Sequence, residues 1–140
     1  MGKKYFVTGA TGCIGAWVVM NLAEAGEEVY ALVRGGSLEK LKLIMADEDI
    51  AKIRVIQGDI CDSALLAGCI AEHNITSVIH LAAMQLPLCK ADPIFGANVN
   101  VTGTINIFEA ARRCGLKKIV YASSTAVYGH SSEYRDGVFR

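Results

Sequence analysis

Three glycines stand three residues apart in Thr8-Gly9-Ala10-Thr11-Gly12-Cys13-Ile14-Gly15, and their spacing carries a definite chemistry. A strand-forming run, Lys4-Tyr5-Phe6-Val7, precedes them, and a helix-forming stretch over 16–25 follows. A strand that turns tightly into a helix leaves the first helical N–H groups without intrahelical partners. About half a positive charge gathers at that end, so the turn attracts an anion. Gly9 permits backbone angles that a side chain would hinder. Gly12 lets the backbone approach phosphate oxygens with no Cβ in the way, and Gly15 lets the new helix pack closely on the strand. The ligand that suits the whole arrangement is a dinucleotide pyrophosphate, held by Gly9, Thr11, Gly12, Cys13, Ile14 and Gly15.

The elements that must position this turn alternate along the chain. Runs rich in Val, Ile and aromatic residues predict strands at 4–8, 28–33, 53–58, 77–81 and 118–123. Helices are expected over 14–25, 38–46 and 63–72, with a long one after Pro93. Gly26 and Gly115 suit helix ends, while Asp62-Ser63 and Asp92-Pro93 suit helix starts. Strand and helix in alternation imply parallel strands and right-handed crossovers. The expectation is an α/β, Rossmann-like, doubly wound sheet with strand order 3-2-1-4-5. Residues 1–129 form that domain, and 130–140 lose the pattern and read as an irregular tail. The long helix carries Ile94, Val101, Ile105 and Phe108 on one stripe, with Asn100, Thr104 and Ile107 on another side. The stripe suits packing on the sheet or half of a homodimer interface. Interior Gly96 and Gly103 mark close packing of that helix.

In open parallel sheets ligands lie beyond the carboxyl ends of the strands, which selects further residues. An acidic residue about twenty positions past the glycine turn accepts from the ribose of NAD. Here Val33-Arg34 stands in that place, and a guanidinium favours the additional phosphate of NADP. The cofactor reading is therefore NAD or NADP, with a slight lean to NADP. Asp59, followed by Ile60, suits acceptance from an adenine amino group or the capping of a turn. Leu81, Ala82 and Ala83 form the fourth strand end, and Asn100 suits a positioning role, tying the long helix to strands four and five by hydrogen bonds. Ser124, beside the expected nicotinamide position, is the catalytic candidate, its hydroxyl placed to polarise a substrate oxygen. His80, inside an apolar run, reads as a buried and hydrogen-bonded histidine rather than a catalytic one.

Bulk properties narrow the partners. Hydrophobic residues make up 52% and charged residues 20%, as strands covered on both faces require. Fourteen basic residues balance 14 acidic ones without a basic stripe, which argues against a nucleic-acid partner. No apolar run approaches the ~18–20 residues of a membrane span, and no signal-peptide layout precedes the first strand. The 5 scattered cysteines have no C-x-x-C pair and read as reduced, so a cytoplasmic location is expected and a metal site is not.

The motifs together resemble the extended short-chain dehydrogenase/reductase family, in its NAD-dependent epimerase/dehydratase branch. The resemblance rests on Thr8-Gly9-x-x-Gly12-x-x-Gly15, Gly58-Asp59-Ile60 and His80-Leu81-Ala82-Ala83. Asn100-Val101-Thr102-Gly103-Thr104 and Ser123-Ser124-Thr125-Ala126-Val127-Tyr128-Gly129 complete it. It implies a nucleotide-sugar substrate, oxidised transiently at a sugar carbon, with Ser124 assisting a tyrosine base whose lysine partner follows four residues on. None of Tyr5, Tyr30, Tyr121, Tyr128 and Tyr134 has that lysine. The 140 residues are therefore expected to bind NAD or NADP without catalysing alone, either as a fragment of a longer enzyme or as a natural short form. Two other readings stand beside it: an NADP-dependent carbonyl reductase of the same superfamily, and a non-catalytic dinucleotide-binding, redox-sensing module.

Overall fold

In a computed structural model, which describes residues 2–35, 38–129 and 132, five short strands pair in parallel in the order β3-β2-β1-β4-β5. They are β1 (Lys4–Thr8), β2 (Glu28–Val33), β3 (Arg54–Gln57), β4 (Ser77–His80) and β5 (Ile119–Tyr121). The central strand, β1, places Thr8 level with Leu32 on one side and His80 on the other. Alternation along the strands then separates two cores. Phe6, Tyr30, Leu32 and Val78 face α4 (Ser63–Glu72) and α7 (Gly103–Arg113), where Leu66, Ile70 and Ile107 are buried. Val7, Val29 and Ala31 face α1 (Cys13–Glu24), α2 (Glu39–Lys42) and α3 (Asp47–Ile50). Each fully buried Leu or Ile contributes about 2 kcal/mol of apolar transfer. The sheet is thus covered on both faces, as the doubly wound expectation requires.

Several element boundaries have the physical causes read from sequence. The Asp62 carboxylate accepts the Leu65 N–H at 2.9 Å and starts α4. Asp92 accepts the Phe95 N–H at 2.9 Å and starts α6 (Pro93–Ala97). Gly26 and Gly115 follow their helices at φ +72° and +70°.

Other expectations need correction. The helix expected over 38–46 is only the short α2, and a separate helix that was not expected, α3, follows it, with Asp47-Glu48-Asp49 in its first turn, where acidic side chains meet the positive end of the dipole. A further helix, α5 (Leu86–Ala91), precedes Asp92, which ends it and caps the next. The long helix after Pro93 is interrupted between α6 and α7 by a π turn at Asn98–Thr102. Its apolar stripe does not pack on the sheet: Ile94, Val101 and Ile105 are exposed, at 77%, 57% and 55%. The inward side is mostly small residues, Gly103, Ala110 and Ala111, around the buried Ile107. A Cβ on Gly103 would lie 2.5 Å from Ile60 Cδ1, and one on Gly96 3.1 Å from Cys89 Cα. Close approach selects glycine there and turns the large side chains outward; Phe108 alone of the stripe reaches back, edge-on to Tyr121 at 5.2 Å. The strand expected over 118–123 is β5 alone, though the Ala122 N–H still bonds to His80 O at 3.1 Å. The tail expected over 130–140 lies outside the described residues except for Ser132. Among the described residues no helix is long and apolar enough to cross a membrane.

Two substitutions test this account of α4. Asp62→Ala removes the cap and is expected to lower unfolding free energy by about 1 kcal/mol. Gly68→Ala, an exposed interior position with open space around a new Cβ, raises it by about 1 kcal/mol. Urea denaturation followed by circular dichroism measures both, and equal signs would contradict the account.

Candidate functional site

The chain leaves β1 at Gly9 with φ +68°, in the left-handed region that a side chain disfavours. Space imposes a second requirement there. A Cβ on Gly9 would stand 2.6 Å from Leu81 C and 2.7 Å from Ala82 N, inside the backbone that leaves β4. Gly15 is constrained by the same turn, since its Cβ would strike Gly9 O and crowd Ala10 Cα. The Gly12 N–H closes the turn on Gly9 O at 2.9 Å. Its own Cβ would project 3.1 Å from that oxygen. The three glycines therefore bring the start of α1 against the ends of β1 and β4, with bare backbone facing outward.

Along these strand ends runs a groove of about 520 Å³. Gly9, Thr11 and Gly12 form its floor at β1, Leu81, Ala82 and Ala83 its wall after β4, and Val33, Arg34, Gly58, Asp59 and Ile60 its far end. Cys13, Ile14 and Gly15, also expected at the site, begin α1 beside it, Gly15 buried and the other two exposed. The Gly58–Asp59 loop is ordered locally: the Asp59 carboxylate accepts the Cys61 N–H at 2.9 Å, the turn-capping role weighed for it from sequence. Arg34 lies over the Phe95 ring at 5.5 Å, and Lys40 joins it in the lining. Met84 and Gln85, which follow strand four in sequence, also line the groove, whereas Lys40 and Leu88 are lining residues that sequence reasoning did not select. Lys40 and Leu88 come from α2 and α5, short helices whose place against the strand ends is set by tertiary packing.

A second cavity, about 560 Å³, adjoins the first across Leu81–Gln85 and opens towards Ser123, Ser124 and Val127. Ser124 starts a 3₁₀ turn at Thr125–Tyr128, and its Oγ accepts the Ala126 N–H at 3.2 Å. That bond uses a lone pair and leaves the hydroxyl proton for another acceptor. Asn100 does not reach strand five. It holds the loop after β4, accepting the Met84 N–H at 2.7 Å and donating to Met84 O at 3.0 Å. His80 is 4% exposed, with Nδ1 2.7 Å from Thr8 Oγ1 and Nε2 3.0 Å from Thr104 Oγ1. Burial pushes its imidazole below the ordinary histidine value. Sequence reasoning passed over both threonines, although a polar residue closing a buried strand, as Thr8 does, must find hydrogen-bond partners.

The groove fits an extended anion. Its middle is glycine backbone at a helix N-terminus, and two cations outnumber one carboxylate in its lining. The observation that tests the fit is steric: each Cβ that would obstruct the turn is absent.

A sequence model described as GDP-mannose 4,6 dehydratase matches residues 6–136. The UDP-glucose 4-epimerase of Neisseria meningitidis serogroup C is 38% identical over 133 residues, covering 91% of this chain and 38% of the relative. That of Mycolicibacterium smegmatis is 39% identical over 136 residues, covering 94% of this chain and 42% of the relative. The chain thus spans less than half the length of these curated relatives. Among solved structures, the Thermus thermophilus UDP-glucose 4-epimerase in complex with NAD superposes with a TM-score of 0.77 at 30% identity, covering 91% of this chain and 40% of that one. The Stenotrophomonas maltophila enzyme, with NAD and formylated UDP-arabinopyranose bound, gives 0.80 at 26%, covering 91% and 39%.

Gly9→Ala is expected to fail on both counts, backbone angle and space, and to cost more than about 2 kcal/mol of stability. Thermal unfolding of this variant checks it; a wild-type midpoint would show that the β1–β4 approach is not tight.

Proposed function

Because the chain belongs to the GDP-mannose 4,6 dehydratase family, within the NAD-dependent epimerase/dehydratase branch, we propose that it is the dinucleotide-binding part of an enzyme acting on a nucleotide sugar. The observation that carries this reading is the groove itself. Glycine backbone lies in its middle, and it spans the ends of the central strands in a chain 38% identical to UDP-glucose 4-epimerases. The pyrophosphate is held at Gly9, Thr11 and Gly12 and at the start of α1, with Cys13, Ile14 and Gly15 shaping that turn. Adenosine lies towards Asp59 and Ile60, and the nicotinamide ribose towards Leu81, Ala82 and Ala83, a wall that Asn100 steadies through Met84.

A bound nicotinamide supplies the two-electron acceptor for oxidation of a sugar carbinol. The chain's own part in that chemistry is Ser124, at the mouth of the second cavity, which holds the reacting oxygen with its hydroxyl proton. No tyrosine of these 140 residues has a lysine four positions on, so the proposal for this chain alone is binding without turnover.

A second reading, an NADP-dependent carbonyl reductase, is favoured by one feature. Arg34 and Lys40 both line the groove at the end of β2, where the sequence carries Val33-Arg34 in the place of the acidic residue that accepts from a ribose hydroxyl. Calorimetric titration with NAD and NADP separates the cofactors. Both are expected to bind, and Arg34→Ala to weaken NADP about tenfold with little effect on NAD, the loss of one charge-assisted contact. An unchanged NADP affinity in the variant sinks the NADP reading. Failure of both cofactors to bind the wild type sinks the proposed function itself. Steady-state epimerisation of UDP-glucose by the isolated chain would contradict binding without turnover.

A further inference from the structure

Hydrogen-bond accounting at the junction of the two cavities fixes the state of the buried His80. A carbonyl cannot donate, so the 2.8 Å contact between Thr104 Oγ1 and Asn100 O uses the one proton of that hydroxyl. Thr104 can then only accept from His80 Nε2, across 3.0 Å, and Nε2 carries the hydrogen. A neutral ring leaves a lone pair on Nδ1, which takes the Thr8 hydroxyl proton across 2.7 Å. The two remaining lone pairs of Thr8 Oγ1 accept the N–H groups of Leu81 at 3.3 Å and Ala82 at 3.2 Å. Asn100 closes the circuit through both backbone groups of Met84. Every proton in this circuit has an acceptor, and the Leu81 N–H is shared between the Thr8 hydroxyl and the Thr8 carbonyl oxygen, the latter at 3.2 Å.

We propose that His80 is a positioning residue: as the neutral Nε2–H imidazole it locks the Leu81–Met84 wall against Gly9, and acidification releases both the wall and the bound dinucleotide. The proposal rests on the dinucleotide reading given above. A proton added at Nδ1 would turn a third N–H towards Thr8 Oγ1, which has two lone pairs, and would strand the Thr8 hydroxyl proton. The bonds displaced are the hydroxyl contacts of Leu81, whose N–H keeps the Thr8 carbonyl oxygen, and of Ala82, the backbone within 3 Å of any Cβ on Gly9. Nothing in the surroundings compensates. β1 presents Thr8, β5 the Tyr121 phenol in register, the π turn Asn100 and α7 Thr104, and among the described residues no carboxylate faces the ring. Burial, the cause of its depressed pKa, therefore acts unopposed. The sign follows: the ring is neutral and the wall intact above its pKa, and the wall is released as pH falls through it.

The test is calorimetric titration of the 140-residue chain with NAD from about pH 8 to about pH 5. Wild-type affinity is expected to fall by up to tenfold per pH unit below the histidine pKa. His80→Gln, which cannot take up a proton, keeps one affinity throughout. A pH-independent wild type, or an unchanged profile in His80→Gln, overturns the proposal. Long-range proton–nitrogen NMR on the wild type decides it even if the variant does not fold or NAD does not bind. The expected spectrum is the Nε2–H tautomer at neutral pH, with Leu81 and Ala82 amide shifts moving as the ring titrates. An Nδ1–H tautomer, or a ring that titrates while those amides stand still, is the contrary result. Absence of NAD binding at every pH would count against the function proposed for the groove, separately from the circuit.

Discussion

Backbone meets backbone where β1 and β4 end, and most of the site depends on that approach. Gly9 lies so close to Leu81 and Ala82 that no β-carbon fits between them, and the left-handed angle there sends the chain into the glycine turn. From this one constraint follow the place of the helix N-terminus, the floor of the groove and its wall. Thr8, the residue before Gly9, is entirely buried and bonds across the same gap. Steric exclusion and hydrogen bonding thus enforce one geometry, and neither requires a ligand to hold it.

Two layers of support stand behind that junction. Below it the strands carry separate cores on their two faces, Phe6 and Val78 on one, Val7 and Ala31 on the other. A tilt of either strand would disturb packing on both sides, since close-packed interiors do not deform continuously. Beside it, the π turn at Asn98–Thr102 brings Asn100 to the loop after β4. Gly103, one residue beyond, lets the same helix press against Ile60 at the other end of the groove. The interrupted helix therefore braces two stretches of the lining.

The elements that could be read from sequence share a local cause. Asp62 and Asp92 cap helices with their own side chains, Gly26 and Gly115 take angles that glycine tolerates, and the strand runs alternate into two buried faces. The glycine turn was legible for the same reason, as conformation and spacing are written within eight residues. The separate helix α3, the extra helix α5 and the π turn were not. Each depends on what the segment packs against: Leu41 and Ile50 are drawn under α1, and Asp92 ends one helix while starting another. The stripe of Ile94, Val101 and Ile105 misled for a related reason. Amphipathic periodicity assumes large apolar residues point inward, and here the inner side of α7 is Gly103, Ala110 and Ala111 around Ile107, with Gly103 pressed against Ile60.

Sequence by itself determined the class of fold, the strand order and the turn that gives the groove its middle, because these rest on periodicity, backbone angles and short-range caps. Tertiary structure alone decided what surrounds that turn. It brought Lys40 and Leu88 to the lining, turned Asn100 onto Met84, and set Thr8 and Thr104 on either side of His80. Partners separated by 24 and 72 positions leave no local pattern to read. Their hydrogen bonds exist only once the sheet has aligned β1 with β4 and packed α7 across them.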